Sequence, residues 1–241
     1  DQEDGYTAMK TGAWVGDGLL PERERIDSFA DRIGRLRKTV GDSVDIMVDD
    51  HGRGTPATAT RLMKALSPFG LFFLEESVQP DDLTGLERLR QADPPMDLAA
   101  GERLYSKWEF KSILEKRLLD IIQPDLCHAG GISEVKKIAA MAEAYYVQVA
   151  PHNPQGPIST AAAAHLGLAT PNFLILEYVR QDPYRDQAMS QSWVVDGGCL
   201  YVPDQPGLGV ELNEKALLES PMRKLNFQVD CYASDGSIKD V

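Results

Sequence analysis

The sequence has no apolar run approaching the ~18 residues needed to cross a bilayer, and its opening, DQEDGYTAMK, does not read as a signal peptide. Cysteine is scarce. Cys127, Cys199 and Cys231 show no metal-ligand spacing and cannot all pair, which points to reduced thiols in a cytoplasmic protein rather than a disulfide framework. Positive charge is also short: 25 Lys and Arg stand against 37 Asp and Glu, for a formal net charge of −12. Phosphate binding needs a basic patch, so a nucleic-acid partner is not expected, and neither is a membrane. An anionic substrate would need a local cation to capture it. No low-complexity segment interrupts the chain.

What remains is ordinary soluble material, 241 residues with 43% hydrophobic and 26% charged side chains. Short apolar runs alternate with amphipathic stretches. Strands are predicted at 6–10, 44–49, 71–76, 96–102, 119–125, 146–152 and 173–178. Between the first two, Ile26, Phe29, Ile33, Leu36 and Val40 recur at helical spacing. Val135, Ile138, Met141 and Ala142 do the same, with Ser133 as the expected N-cap. Strands alternating with helices of this length predict βαβ units and a parallel sheet.

The repeat is regular. Asp49, Glu75, Glu102, Asp125, His152 and Glu177 close six successive strand candidates, 23 to 27 residues apart. A barrel unit takes about that many residues, given ~250 for eight. In an open, doubly wound sheet, half of the helices would lie on the other face and these side chains would not all converge. The expected fold class is therefore α/β, a TIM-like barrel.

In VDDHGR (48–53), alternation places Val44, Ile46, Val48 and Asp50 on one face, and Met47, Asp49 and His51 on the other. The outer face packs on helices, so Asp49 and His51 should face the barrel axis. Asp50 should sit behind them as a helix-capping or solvated carboxylate. Asp49, Glu75 and Glu102 on consecutive strands would repel one another unless a cation neutralised them. An all-oxygen set suits one Mg²⁺, with Mn²⁺ as a substitute. The alternative is pairing of each carboxylate with Arg53, Arg103 or Lys10. Asp125 and His152 end the next two strands, and a carboxylate beside an imidazole makes a general base. His165 is expected to pack within a helix, and His128 has no assigned partner.

VDDHGR, FLEES, AGERLYSKWEF, IIQPDLCHAGGISEVKKIAAMAEAYY, VAPHNPQGP and LILEY, in this order, resemble the enolase superfamily. Within it they resemble the mandelate racemase subgroup, and most closely its galactonate dehydratase-like acid-sugar dehydratases. The resemblance runs from about Gly5 to Gly209. It implies a (β/α)7β barrel holding one Mg²⁺ on Asp49, Glu75 and Glu102, with His152 as base oriented by Asp125. It also implies His51 as acid, Glu177 as a hydrogen-bonding partner of substrate, and Lys10 as a contact of the substrate carboxylate or enolate. Arg53 and Arg103 are candidate substrate-binding residues or plain salt-bridge partners. The implied partner is a small-molecule sugar acid, and the implied full-length state a homo-oligomer.

Two departures from the family pattern carry information. Racemases of the subgroup have Lys-x-Lys, whereas Lys10-Thr11-Gly12 lacks the second lysine and so the base of the opposite face. Dehydration of an aldonate such as galactonate to a 2-keto-3-deoxy acid is favoured over epimerisation, racemisation or cycloisomerisation. A non-catalytic sugar-acid-binding barrel is the alternative from another class. The chain also starts just ahead of the second barrel strand, so the first strand and the N-terminal α+β capping domain are expected to be missing. Residues 1–190 are read as a partial barrel domain, and 191–241 as a C-terminal segment packing on the barrel or the capping domain. Ser77 stands where the family has proline, and Cys127 replaces a small hydroxylated residue.

Overall fold

The computed structural model describes residues 5–12, 20–179, 187–190, 193–219 and 235. Cys231 lies outside them. The described residues form two compact units, one over Thr7–Ala100 and the other comprising Gly5, Tyr6 and the residues from Gly101 to 219.

The first unit runs β1 (Ala8–Gly12), α1 (Glu22–Val40), β2 (Asp45–Asp49), α2 (Pro56–Leu66), β3 (Phe73–Glu75), α3 (Leu83–Gln91) and β4 (Asp97–Ala100). Its strands pair in chain order, all parallel. Ile26, Phe29 and Ile33 are the buried stripe of α1, while Leu36 and Val40 are only half-buried. The Thr55 hydroxyl accepts the Thr58 N–H at the start of α2, with Pro56 in the first turn. The Asp82 carboxylate does the same for Gly85 in α3. Ile46 and Val48 are fully buried in β2, and Met47 and Asp49 nearly so, as expected of a parallel strand covered on both faces. Burying each such aliphatic side chain stabilises the unit by roughly 1.5–3 kcal/mol, and Leu62→Ala, deep in α2, would remove about 2–5 kcal/mol. Arg37 ties the end of α1 to the loops around it, donating to the carbonyls of Phe69, Gly41, Val44 and Gly70.

The second unit runs α4 (Lys107–Glu115), β5 (Ile121–Ile122), α5 (Gly131–Ala144), β6 (Gln148–Val149), α6 (Pro157–Leu168), β7 (Val194–Asp196), β8 (Cys199–Tyr201) and α7 (Glu214–Glu219). β5 and β6 are parallel. The strand predicted at 173–178 is reduced to one parallel bridge, Val149 to Phe173. Two hydrogen bonds hold it, Val149 N–H to Asn172 O at 2.9 Å and Leu174 N–H to Val149 O at 2.8 Å. Ser133 is not the N-cap of α5. Gly130 and Gly131, both at positive φ, start the helix earlier, and Ser133 lies exposed within its first turn. β7 and β8 form an antiparallel hairpin turning at Gly197–Gly198, both at positive φ. Among the described residues, no helix is long and apolar enough to cross a membrane.

Candidate active site

In the first unit, β2 and β3 end on Asp49 and Glu75, which are register partners. Both carboxylates are buried, Glu75 completely. Lys10, from β1, donates to Glu75 Oε2 at 2.8 Å and lies 3.9 Å from Asp49 Oδ2. Pairing with lysine, one of the two fates expected from the sequence, is therefore realised at Glu75. One ammonium faces two buried carboxylates here. His51 reaches Asp49 twice, through its backbone N–H on Oδ1 at 3.0 Å and through Nε2 at 2.9 Å from Oδ2. Burial pushes the Asp49 carboxyl up, but the His51 hydrogen bond and the Lys10 charge prevail and hold it below the usual carboxylate range.

Strand alternation predicts the meeting of His51 with Asp49, but a different device produces it. β2 stops at Asp49, and His51 adopts a left-handed conformation, φ 52°. The turn is fastened by the Gly52 N–H on the Glu76 carbonyl, 2.6 Å. Glu76, directly after Glu75, is also left-handed at φ 42°. Non-glycine residues in that region cost on the order of 1–2 kcal/mol each and cluster where a site needs its side chains re-aimed. Asp50 corrects the sequence reading: it is 1% exposed, not solvated. Its Oδ2 lies against Gly54, just ahead of α2, where a Cβ would come within 3.3 Å. The capping residue of that helix is Thr55 instead. Arg53 is exposed, with its backbone N–H on the Asp50 carbonyl.

In the second unit, the loops after β5 and β6 bring Asp125 and His152 together, Nδ1 to Oδ2 at 2.8 Å. His152 Nε2 stands 3.0 Å from Glu102 Oε2. The imidazole is only 11% exposed. Burial lowers its proton affinity, but the hydrogen bonds of Asp125 and Glu102 and the charges of Glu102 and Glu177 outweigh that, raising its pKa to about 10. Asp125 is wholly buried. Burial opposes its ionisation, yet hydrogen bonds from His152, Gln155 and the Cys127 backbone hold its carboxyl below the usual range. Glu177 Oε2 accepts the Asn153 N–H at 2.8 Å. Gly101 lets the chain enter this group: a Cβ there would lie 2.9 Å from Gln123 N, at φ 145°. Arg103 follows Glu102 and is half-buried.

The sequence reading left three neighbours without a role. His128 lies 3.3 Å from the Glu102 carbonyl and 3.9 Å from Asp125 Oδ2, with Tyr105 edge-on to its ring. Asn153, 1% exposed, donates to Thr160 Oγ1 and to the Glu177 carbonyl and accepts from Ser159. Gln155 donates to Asp125 Oδ2 at 3.0 Å. Their signal in the sequence was placement in the motifs CHAGG and HNPQGP. His165 sits in α6 as expected, its Nε2 3.2 Å from the Leu208 carbonyl. Cys127 and Cys199 are free and exposed.

Comparison with known proteins decides what these groups belong to. The protein-family model described as "Enolase C-terminal domain-like" matches residues 1–216. The chain belongs to this family. Its fold class is that of the enolase-type barrel, as the strand–helix alternation predicts. It is 40% identical over 245 residues to a D-galactonate dehydratase of Xanthomonas campestris pv. campestris, covering 98% of this chain and 64% of the relative. A D-galactonate dehydratase of Ralstonia nicotianae is 36% identical over 99% of this chain and 64% of its own length. Among solved structures, an enolase from Agrobacterium radiobacter with bound sodium and L-malate matches 98% of this chain and 64% of that one, at 36% identity and a TM-score of 0.86. The chain thus spans about two thirds of the length of these relatives, slightly less by count.

Proposed function

We propose that the protein is a hydro-lyase that dehydrates an aldonate such as galactonate to a 2-keto-3-deoxy sugar acid. The observation that carries this reading is the buried Asp125–His152 pair, in which a buried carboxylate holds Nδ1 of the imidazole at 2.8 Å. A binding module has no need of such a base. Support comes from curated relatives named D-galactonate dehydratase over nearly the whole chain.

The donor set fits a hard divalent cation. Asp49, Glu75 and Glu102 offer only carboxylate oxygen, and in the first unit two buried carboxylates share a single ammonium. In our reading these three residues hold Mg²⁺, or Mn²⁺ in its place. When bound, the ion would supply positive charge against the dianionic character that develops as the substrate loses its α-proton.

The residues divide the rest of the work. His152 takes the proton from the carbon α to the carboxylate at Nε2, while Asp125 holds its Nδ1–H and stabilises the imidazolium. Lys10 places an ammonium charge at the substrate carboxylate. His51, half-exposed and hydrogen-bonded to Asp49, protonates the 3-hydroxyl as its carbon–oxygen bond breaks, so that it leaves as water. The resulting enol tautomerises to the 2-keto acid, and solvent restores both histidines. Glu177 holds a substrate hydroxyl, with Arg53 and Arg103 as further polar contacts. β1 ends in Lys10-Thr11-Gly12, where a second lysine would be needed for two-base racemisation. The free thiols of Cys127 and Cys199 support a reducing compartment, the cytoplasm.

The test is incubation with aldonic acids and Mg²⁺ in D₂O. A 2-keto-3-deoxy product is expected. Incorporation of α-deuterium with no keto acid would reject dehydration in favour of epimerisation.

A further inference from the structure

We propose that Gln155 is a positioning residue, whose side-chain amide locks the Asp125 carboxylate in the orientation that aligns His152. The inference rests on the reading of His152 as the base. Asp125 has both oxygens engaged: Oδ1 accepts the Cys127 backbone N–H at 2.6 Å, and Oδ2 accepts His152 Nδ1–H at 2.8 Å and Gln155 Nε2–H at 3.0 Å. An ionised carboxylate can only accept, so the amide nitrogen, not the amide oxygen, faces it. Without Gln155, the backbone bond would still fix Oδ1. Among the described residues, Oδ2 would then keep a single hydrogen bond, the one from the imidazole it is meant to orient.

Gln155 is presented by a stiff loop. Pro154 precedes it, Gly156 caps α6, and Pro157 opens that helix. Asn153, two residues back, is bound to Ser159, to Thr160 and to both the backbone and the carboxylate of Glu177. The segment 152–155 therefore carries the imidazole directly ahead of two tethers, Asn153 to Glu177 and Gln155 to Asp125. The entropy of ordering the amide is met by the fold rather than at each turnover. On its other side, Gln155 lines a cavity of about 660 Å³ together with Leu126, Ile132, Ile158, Leu212 and Leu217.

Two substitutions separate positioning from packing. Gln155→Leu keeps the volume and removes the donor, and Gln155→Glu keeps the shape and sets a second carboxylate against Asp125. Positioning predicts a fall in kcat of about 10-fold for Leu and about 50-fold for Glu, with KM within about twofold for both. A purely packing role predicts that both leave kcat alone. Independently of turnover, the His152 Nδ1–H proton followed by NMR should exchange with water about 10-fold faster in Gln155→Leu. Wild-type kcat with unchanged exchange in Gln155→Leu would overturn the inference, as would an effect confined to KM. If the unsubstituted protein dehydrates no aldonate, the proposed function fails, and the exchange measurement still decides the role of Gln155.

Discussion

The molecule builds an aspartate–histidine pair twice, by different means. Asp49 and His51 are two residues apart and meet through a left-handed turn, and the imidazole is 48% exposed. Asp125 and His152 come from separate loops, and that imidazole is 11% exposed with carboxylates at both nitrogens. The same two side chains thus acquire different chemistry from their surroundings. An exposed imidazole on one carboxylate exchanges protons readily with solvent, which suits an acid that must be reloaded. A buried imidazole held at Nδ1 by a buried carboxylate is fixed in place, which suits abstraction of a proton from carbon at its other nitrogen.

The largest expected effect breaks that symmetry directly. His152→Asn should lower kcat by at least about 10³-fold, and His51→Asn by about 10–10²-fold, because the proposed mechanism gives the buried pair the harder proton transfer. Steady-state assay of keto-acid formation checks both. If the two variants lose activity equally, the contrast between buried base and exposed acid is wrong. If His152→Asn also abolishes binding of Mg²⁺ measured by calorimetry, its effect is structural rather than catalytic.

The next effect is on stability and separates the pairs by pH. The pKa of His152 is raised from the ordinary value, about 6.5, to about 10 in the folded protein. Its ion pairs therefore stabilise the fold fully below about pH 6.5, and that contribution is lost as pH rises through about 10. Between those limits the metal-free protein should lose stability on the order of a few kcal/mol, read as a falling urea midpoint. His152→Asn should flatten the fall, whereas His51→Asn should retain it. On the acid side the sign reverses. Asp125 and Asp49 are held below their usual range, so their contribution is present above about pH 4 and disappears as pH falls through the folded values.

Much of this is legible in the sequence alone. The period of the strand–helix unit depends on alternating apolar residues and helix-face spacing, which are local properties, so Asp49, Glu75, Asp125 and His152 were placed correctly at or just beyond strand ends. Long-range consequences of burial were not legible. Asp50 is expected to be a helix-capping or solvated carboxylate, because alternation tells which face a residue takes but not what covers that face. Composition points to Ser133 as the N-cap of α5, but the paired glycines before it form their own left-handed entry and start the helix earlier. The strand predicted at 173–178 has the right composition, yet it contributes a single bridge. Gln155 had no signature of its own, since its role depends on an acceptor 30 residues away in sequence.

The smallest expected effect tests whether the left-handed turn at His51 is a structural requirement or only a means of aiming a side chain. Asparagine tolerates that region better than most residues. His51→Asn therefore keeps the backbone of the turn, including the Gly52 N–H on the Glu76 carbonyl, and removes only an imidazole that is half in water. Asp49 keeps the residue-51 backbone N–H and the Lys10 ammonium nearby, so losing one hydrogen bond from a half-exposed imidazole should cost about 1 kcal/mol, and the melting temperature should change by no more than about 4 °C. His152→Asn should lower it further, because Asp125 would stay fully buried with one hydrogen bond fewer. A His51→Asn protein as destabilised as His152→Asn would show that the imidazole, and not the turn alone, is what the first unit depends on at this position.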